Sequence, residues 1–132
     1  MTEALNQSFA SVRAHVAAQA LPQLGEDKLE PIYEELLRFL EAHANERAAL
    51  ARLLVEEVKA HRSRAASGEQ RLPIQAIAYC MHVLRWSEVL EAAERENEEF
   101  YSLRMSTAME PIVGAYSDDW EDRDFYRRFS LN

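Results

Sequence analysis

One cysteine (Cys80), three glycines, four prolines and two lysines are all that the chain has of those residue types, and each shortage excludes something. A lone thiol forms no internal disulfide, no Cys-x-x-Cys redox pair and no multi-thiolate zinc site, so a reducing, cytoplasmic setting is the simplest expectation. So little glycine and proline leaves poor turn material for an all-β sandwich or barrel. No stretch approaches the roughly 20 apolar residues of a membrane span. The opening Met1-Thr2-Glu3-Ala4 lacks the basic region and apolar stretch of a secretory signal. Neither membrane insertion nor export is therefore expected.

Charge of one sign is also short. Fifteen basic residues, 13 of them arginine, stand against 23 acidic ones for a net charge of −8. A field of that sign repels phosphate backbones and anionic lipid, so no nucleic-acid binding is expected. The arginine and alanine bias is common in GC-rich bacterial genomes. There is no glycine-rich phosphate loop, no G-x-S-x-G elbow and no H-E-x-x-H pair.

What the chain does have is helical periodicity. At 132 residues and 15.2 kDa it has the size of a single domain spanning 1–132. From Glu3 to Leu21, the residues Leu5, Phe9, Val12, Val16 and Ala20 share one helical face, and Pro22 ends that helix. A capping box of Asp27 with Glu30 precedes Pro31, after which Ile32, Leu36, Leu37, Leu40 and Ala44 predict a second helix. Asn45 marks a break, and Leu50, Leu53, Leu54, Val58 and His61 form the stripe of a third.

The stretch about 62–72 is polar and aperiodic and reads as an exposed, mobile loop. Pro73 opens the most apolar segment, a fourth and central helix. A fifth, starting near Ser87, carries Val89, Leu90, Ala93, Phe100, Tyr101 and Ala108 inward. Pro111 breaks or kinks it, and Gly114 loosens the chain beyond. Asp118 with Glu121 suggests a capped last helix, with segment 111–132 packed on the bundle.

The expected fold is all-α, a compact bundle of about five main helices plus a short C-terminal one. Leu36, Leu40, Leu54, Val58, Ile77 and Met81 are expected in its core. The hairpins about 31–62 and 73–110 each have the length of one HEAT-type helical repeat. They share no signature, and two units are fewer than a solenoid needs, which favours the bundle.

Candidate chemistry is sparse. A carboxylate-bridged di-metal bundle needs Glu-x-x-His, and no glutamate here has a histidine three residues later. Glu57 with His61 and Glu41 with His43 are the nearest substitutes. His15, His43, His61 and His82 fall on four different helices and suggest no metal site. Cys80 and His82 diverge by about 200° around a helix, so they make no thiolate–imidazole dyad. No catalytic residue, metal or cofactor is expected.

Two features rise above this background. Gln75, Tyr79, His82 and Trp86 recur at four, three and four residues, a second face of the fourth helix with aromatic bodies and polar tips of the kind enriched in binding hot spots. Glu91, Glu94 and Glu98 line the fifth helix, and the tail places Asp118 and Asp119 beside Trp120. A basic partner surface would meet a complementary field there. These ten residues are the candidate partner-binding set, and the implied function is a non-enzymatic one: binding a protein partner, as an inhibitor, immunity-type or adaptor protein does. The alternative is a ligand- or metal-binding bundle, with or without enzymatic activity, whose pocket is lined by histidine and aromatic side chains.

Overall fold

In the computed structural model, residues 2–21, 23–60, 71–100 and 109–129 are described. They form six α-helices and no strand: α1 (Thr2–Gln19), α2 (Glu26–Ala42), α3 (Arg47–Ala60), α4 (Ile74–Leu84), α5 (Ser87–Phe100) and α6 (Glu110–Gly114). Short 3-10 turns occupy Ala44–Glu46 and Glu121–Phe125.

Most of the stripes read from the sequence face the core, although Ala44, expected in the second, is exposed in the 3-10 turn after α2. Leu5, Phe9 and Val16 of α1 turn inward, and Phe9 meets Phe39 of α2 with ring centroids 6.4 Å apart. Tyr33, Leu36, Leu37 and Leu40 bury the facing stripe of α2. In α4, six consecutive residues from Ala76 to Met81 have no exposed surface, which makes it the central helix. All six expected core residues are fully buried. Truncating one such leucine to alanine costs about 2–5 kcal/mol.

The pairing of helices departs from hairpins. α1 lies on α2, α2 on α4, α3 on α5, and α6 packs against both α4 and α5. Among the described residues, neither α2 with α3 nor α4 with α5 is a principal pair. The turn after α4 is a tight one. Arg85 sits in the left-handed region at φ 52°, ψ 46°, a conformation usually left to glycine. It ends α4, and α5 begins two residues later at Ser87. Arg85 is held there by Asp118, at 2.9 Å, and by the His82 carbonyl, at 3.3 Å.

Helix ends also differ from expectation. α2 starts at Glu26, a turn before Pro31, because Gly25 in extended conformation accepts the N–H groups of Lys28 and Leu29, both at 3.0 Å. The Asp27–Glu30 capping box does not form, since Glu30 turns to the C-terminal segment. Pro31 falls within the helix, where its missing N–H removes the helical partner of the Asp27 carbonyl.

At the other end, Asp118 binds Arg85 rather than capping a helix, and the expected last helix is the 3-10 turn Glu121–Phe125 after the short α6. That segment does pack on the bundle, with Trp120 and Tyr126 buried. Gly114 permits a close approach here, because a Cβ would stand 3.3 Å from Trp120 Cδ1.

Most of the loop expected about 62–72 lies outside the described residues, as do the side chains of Phe100, Tyr101 and Ala108. The last residue of that loop is a correction: Leu72 is fully buried, and its N–H donates to Glu57 Oε1 at 3.2 Å. Glu57, 2% exposed in α3, also accepts from Arg13 of α1 at 2.9 Å and lies 3.7 Å from Arg71. One buried carboxylate thus ties α1, α3 and the approach to α4 together.

Candidate functional site

The face of α4 expected to meet a partner is covered by the protein's own C-terminal segment. Gln75 is half-buried, with Nε2 donating to Asp122 at 3.3 Å. Tyr79 is fully buried among Tyr33, Tyr126 and Phe129, with ring centroids 5.7, 4.9 and 5.0 Å away. His82 is bonded through Nδ1 to the Ala115 carbonyl at 2.7 Å and packs against Trp120 and Phe129. Trp86 is buried beneath the Arg47 guanidinium, 5.2 Å from its ring centroid, and Trp120 is buried as well.

Tyr79, Trp86 and Trp120 are therefore core residues here and not an exposed anchor. Tyr79 and Trp120 bury against Tyr126 and Phe129, which approach α4 from far along the chain, and Trp86 buries beneath Arg47. The acidic candidates face outward: Glu91, Glu94 and Glu98 on α5, together with Asp118 and Asp119, are exposed.

Histidine and cysteine chemistry stays dispersed. His15 pairs with Glu35 at 3.0 Å, and His43 bonds the Phe39 carbonyl at 2.9 Å. His61 lies outside the described residues. Among the described residues, no three of His, Cys, Asp and Glu are placed to share a metal ion. Cys80 is completely buried near the Tyr33 carbonyl, and burial, reinforced by the charges of Glu34 and Glu41, pushes its thiol well above the usual range. A thiol held protonated is a poor nucleophile.

A polar cluster that the sequence reading missed lies where α2 meets the C-terminal segment. Glu30 and Glu34, one helical turn apart, both reach the Tyr79 hydroxyl, Glu30 at 2.7 Å and Glu34 closer still. Glu30 also accepts the backbone N–H groups of Arg127 and Arg128, at 2.8 and 3.0 Å. The Arg128 guanidinium spans both Glu34 oxygens at 3.1 and 2.9 Å.

Burial acts to raise the Glu34 carboxyl, but the hydrogen bonds from Tyr79 and Arg128 and the charges of Arg128 and Arg38 outweigh it, so its pKa is lowered. Burial, with the two neighbouring carboxylates, drives Tyr79 far above the ordinary phenol value. Tyr79 is thus a fixed hydrogen-bond donor, and the carboxylates are committed to holding the C-terminal segment. The signal that could have found them is Glu30-x-x-x-Glu34 on the polar flank of α2, which reads like any solvated pair until the partner arrives from 97 residues away.

Beside this cluster opens a cleft of about 640 Å³. Asp27, Glu30, Pro31 and Glu34 of α2 form one wall. Asp124 and Phe125, with Arg127 and Arg128, form the other. A smaller hollow of about 390 Å³ between α6 and the C-terminal segment takes in Asp119 and Trp120. Compared with protein-family models, curated proteins and solved structures, the chain matches none, and its function is therefore read from its own residues.

Proposed function

We propose that the protein is a non-enzymatic helical module that binds a protein partner with a basic surface, in a bacterial cytoplasm. The observation that supports this reading is the outward placement of Glu91, Glu94 and Glu98 on α5 and of Asp118 and Asp119 in the C-terminal segment, in a chain with a net charge of −8. Such a field speeds the encounter with a cationic surface and disfavours anionic ones. The buried aromatic face of α4 has no part in it.

The test compares wild type with a triple variant, Glu91→Lys, Glu94→Lys and Glu98→Lys. Each is immobilised in an extract of the source cells, and the captured partner is then purified for kinetics. A partner whose association rate with wild type falls as salt rises, and falls again in the triple variant, is the expected result. Association that ignores both salt and charge reversal would sink the reading.

A further inference from the structure

The C-terminal segment is held at its two ends by different chemistry. The near end rests largely on backbone carbonyls and packing: His82 Nδ1 bonds the Ala115 carbonyl at 2.7 Å, the Tyr116 hydroxyl donates to the Trp86 carbonyl at 2.7 Å, and the Trp120 ring lies against Gly114. Asp118 and Asp122 add side-chain contacts to Arg85 and Gln75. The far end, residues 126–129, is held by two carboxylates of α2. Glu30 accepts the N–H groups of Arg127 and Arg128, Glu34 accepts the Arg128 guanidinium, and both meet the Tyr79 hydroxyl.

A carboxylate that gains a proton loses the charge that holds a cation, and hydrogen bonds to it fall to roughly half their strength. Arg128 would then face no counter-charge on Glu34. The other groups around the pair leave this response to the carboxylates. Arg38 of α2 lies 3.9 Å from Glu34 and stays charged, as Arg128 does. Tyr79 and Cys80 of α4 keep their protons in acid, because burial pushes both up. Asp27 and Asp124 border the same cleft, and Glu41 acts on Arg128 by its charge.

We infer that residues 126–129 form an acid-released strap, in which protonation of Glu30 and Glu34 lifts Tyr126 and Phe129 off Tyr79 while Trp120 stays seated. Burial opposes ionisation of Glu34, but the hydrogen bonds from Tyr79 and Arg128 outweigh it and lower its pKa. Its grip is therefore complete above the ordinary glutamate value of about 4.3 and fails as the pH falls through the folded value. Opening near a chain end is the least costly kind of local unfolding. It would turn the packed aromatic face of α4 outward before the helices melt.

The experiment follows amide shifts and hydrogen exchange in the ¹⁵N-labelled full chain from about pH 7 to about pH 3, with helicity recorded on the same samples. The Arg127 and Arg128 amides, which bond Glu30 directly, should shift with the titration. Corrected for intrinsic exchange, their protection should fall at least about tenfold relative to the Trp120 amide, bonded to the Ser117 carbonyl, while helicity holds. Glu34→Gln and Arg128→Ala should each show the reduced protection already at neutral pH. Arg128 is exposed, so its truncation leaves the bundle intact. A single transition in which residues 127, 128 and 120 lose protection together with helicity would overturn the strap. Protection at 127 and 128 that survives the acid, or that neither substitution changes, would overturn it as well.

Discussion

The Glu57 carboxylate, nearly all of it out of solvent, holds the Arg13 guanidinium at 2.9 Å and so fastens α3 to α1. A second oxygen of the same group satisfies the Leu72 N–H. Removing a buried partner leaves the other groups uncompensated, which commonly costs about 3–5 kcal/mol. Glu57→Ala is expected to destabilise the fold by about 3 kcal/mol in urea unfolding, and Arg13→Ala by less, because Arg13 keeps some contact with water. A loss below about 1 kcal/mol for Glu57→Ala would show that the tie contributes little.

Glu34 contributes to stability on the acid side. Its pKa is lower in the folded chain than unfolded, so the stability it adds is present above the ordinary glutamate value of about 4.3 and is lost as the pH falls through the folded value. Glu34→Gln should be less stable than wild type at neutral pH, and the difference should shrink progressively below about pH 4. A difference that stays constant from neutral to acid pH would contradict this linkage.

On the alkaline side the sign reverses. Burial, with the charge of Glu26, pushes Tyr33 up to about 12. Its contribution is complete below the free phenol value of about 10 and is lost as the pH rises towards the folded value. Spectrophotometric titration should show Tyr33 ionising late, together with loss of helicity. Full ionisation near pH 10 in a chain that remains helical would argue against its burial.

Arg85 carries a left-handed backbone that costs a non-glycine residue about 1–2 kcal/mol. Its ion pair with the well-exposed Asp118 returns at most about 1 kcal/mol. Arg85→Gly is expected to raise stability by about 0.5–1 kcal/mol, whereas β-branched Arg85→Val lowers it. Calorimetric melting that ranks glycine below arginine would mean that the Asp118 contact outweighs the strain.

Trp86 is a packing residue beneath Arg47, and its truncation should register in folding rather than in association. Trp86→Ala is expected to cost about 3–5 kcal/mol. A variant with unchanged melting would place the indole outside the core.

Local periodicity made the helices legible. The stripes Leu36–Leu40, Leu54–Val58 and Ile77–Met81 are the buried ones because a helix face is decided within two turns of sequence. Pairing was not legible, since it rests on contacts between residues far apart in the chain, such as Arg13 with Glu57. The same limit hid the Glu30–Glu34–Tyr79 cluster, whose carboxylates are bound by groups at 127 and 128. It also made Tyr79 and Trp86 resemble surface anchors, because an amphipathic aromatic satisfies a partner and the rest of its own fold by the same contacts.

The grip of Glu30 on the Arg127 and Arg128 backbone bears on how the chain is made. During synthesis α2 and α4 emerge well before residues 126–129, so the contacts that Tyr126 and Phe129 make with Tyr33 and Tyr79 form only after that segment follows. Contacts spanning so much of the chain form late and slowly. Closing the aromatic seam of Tyr33, Tyr79, Tyr126 and Phe129 is thus an event of long sequence separation, set by the arrival of the C-terminal segment.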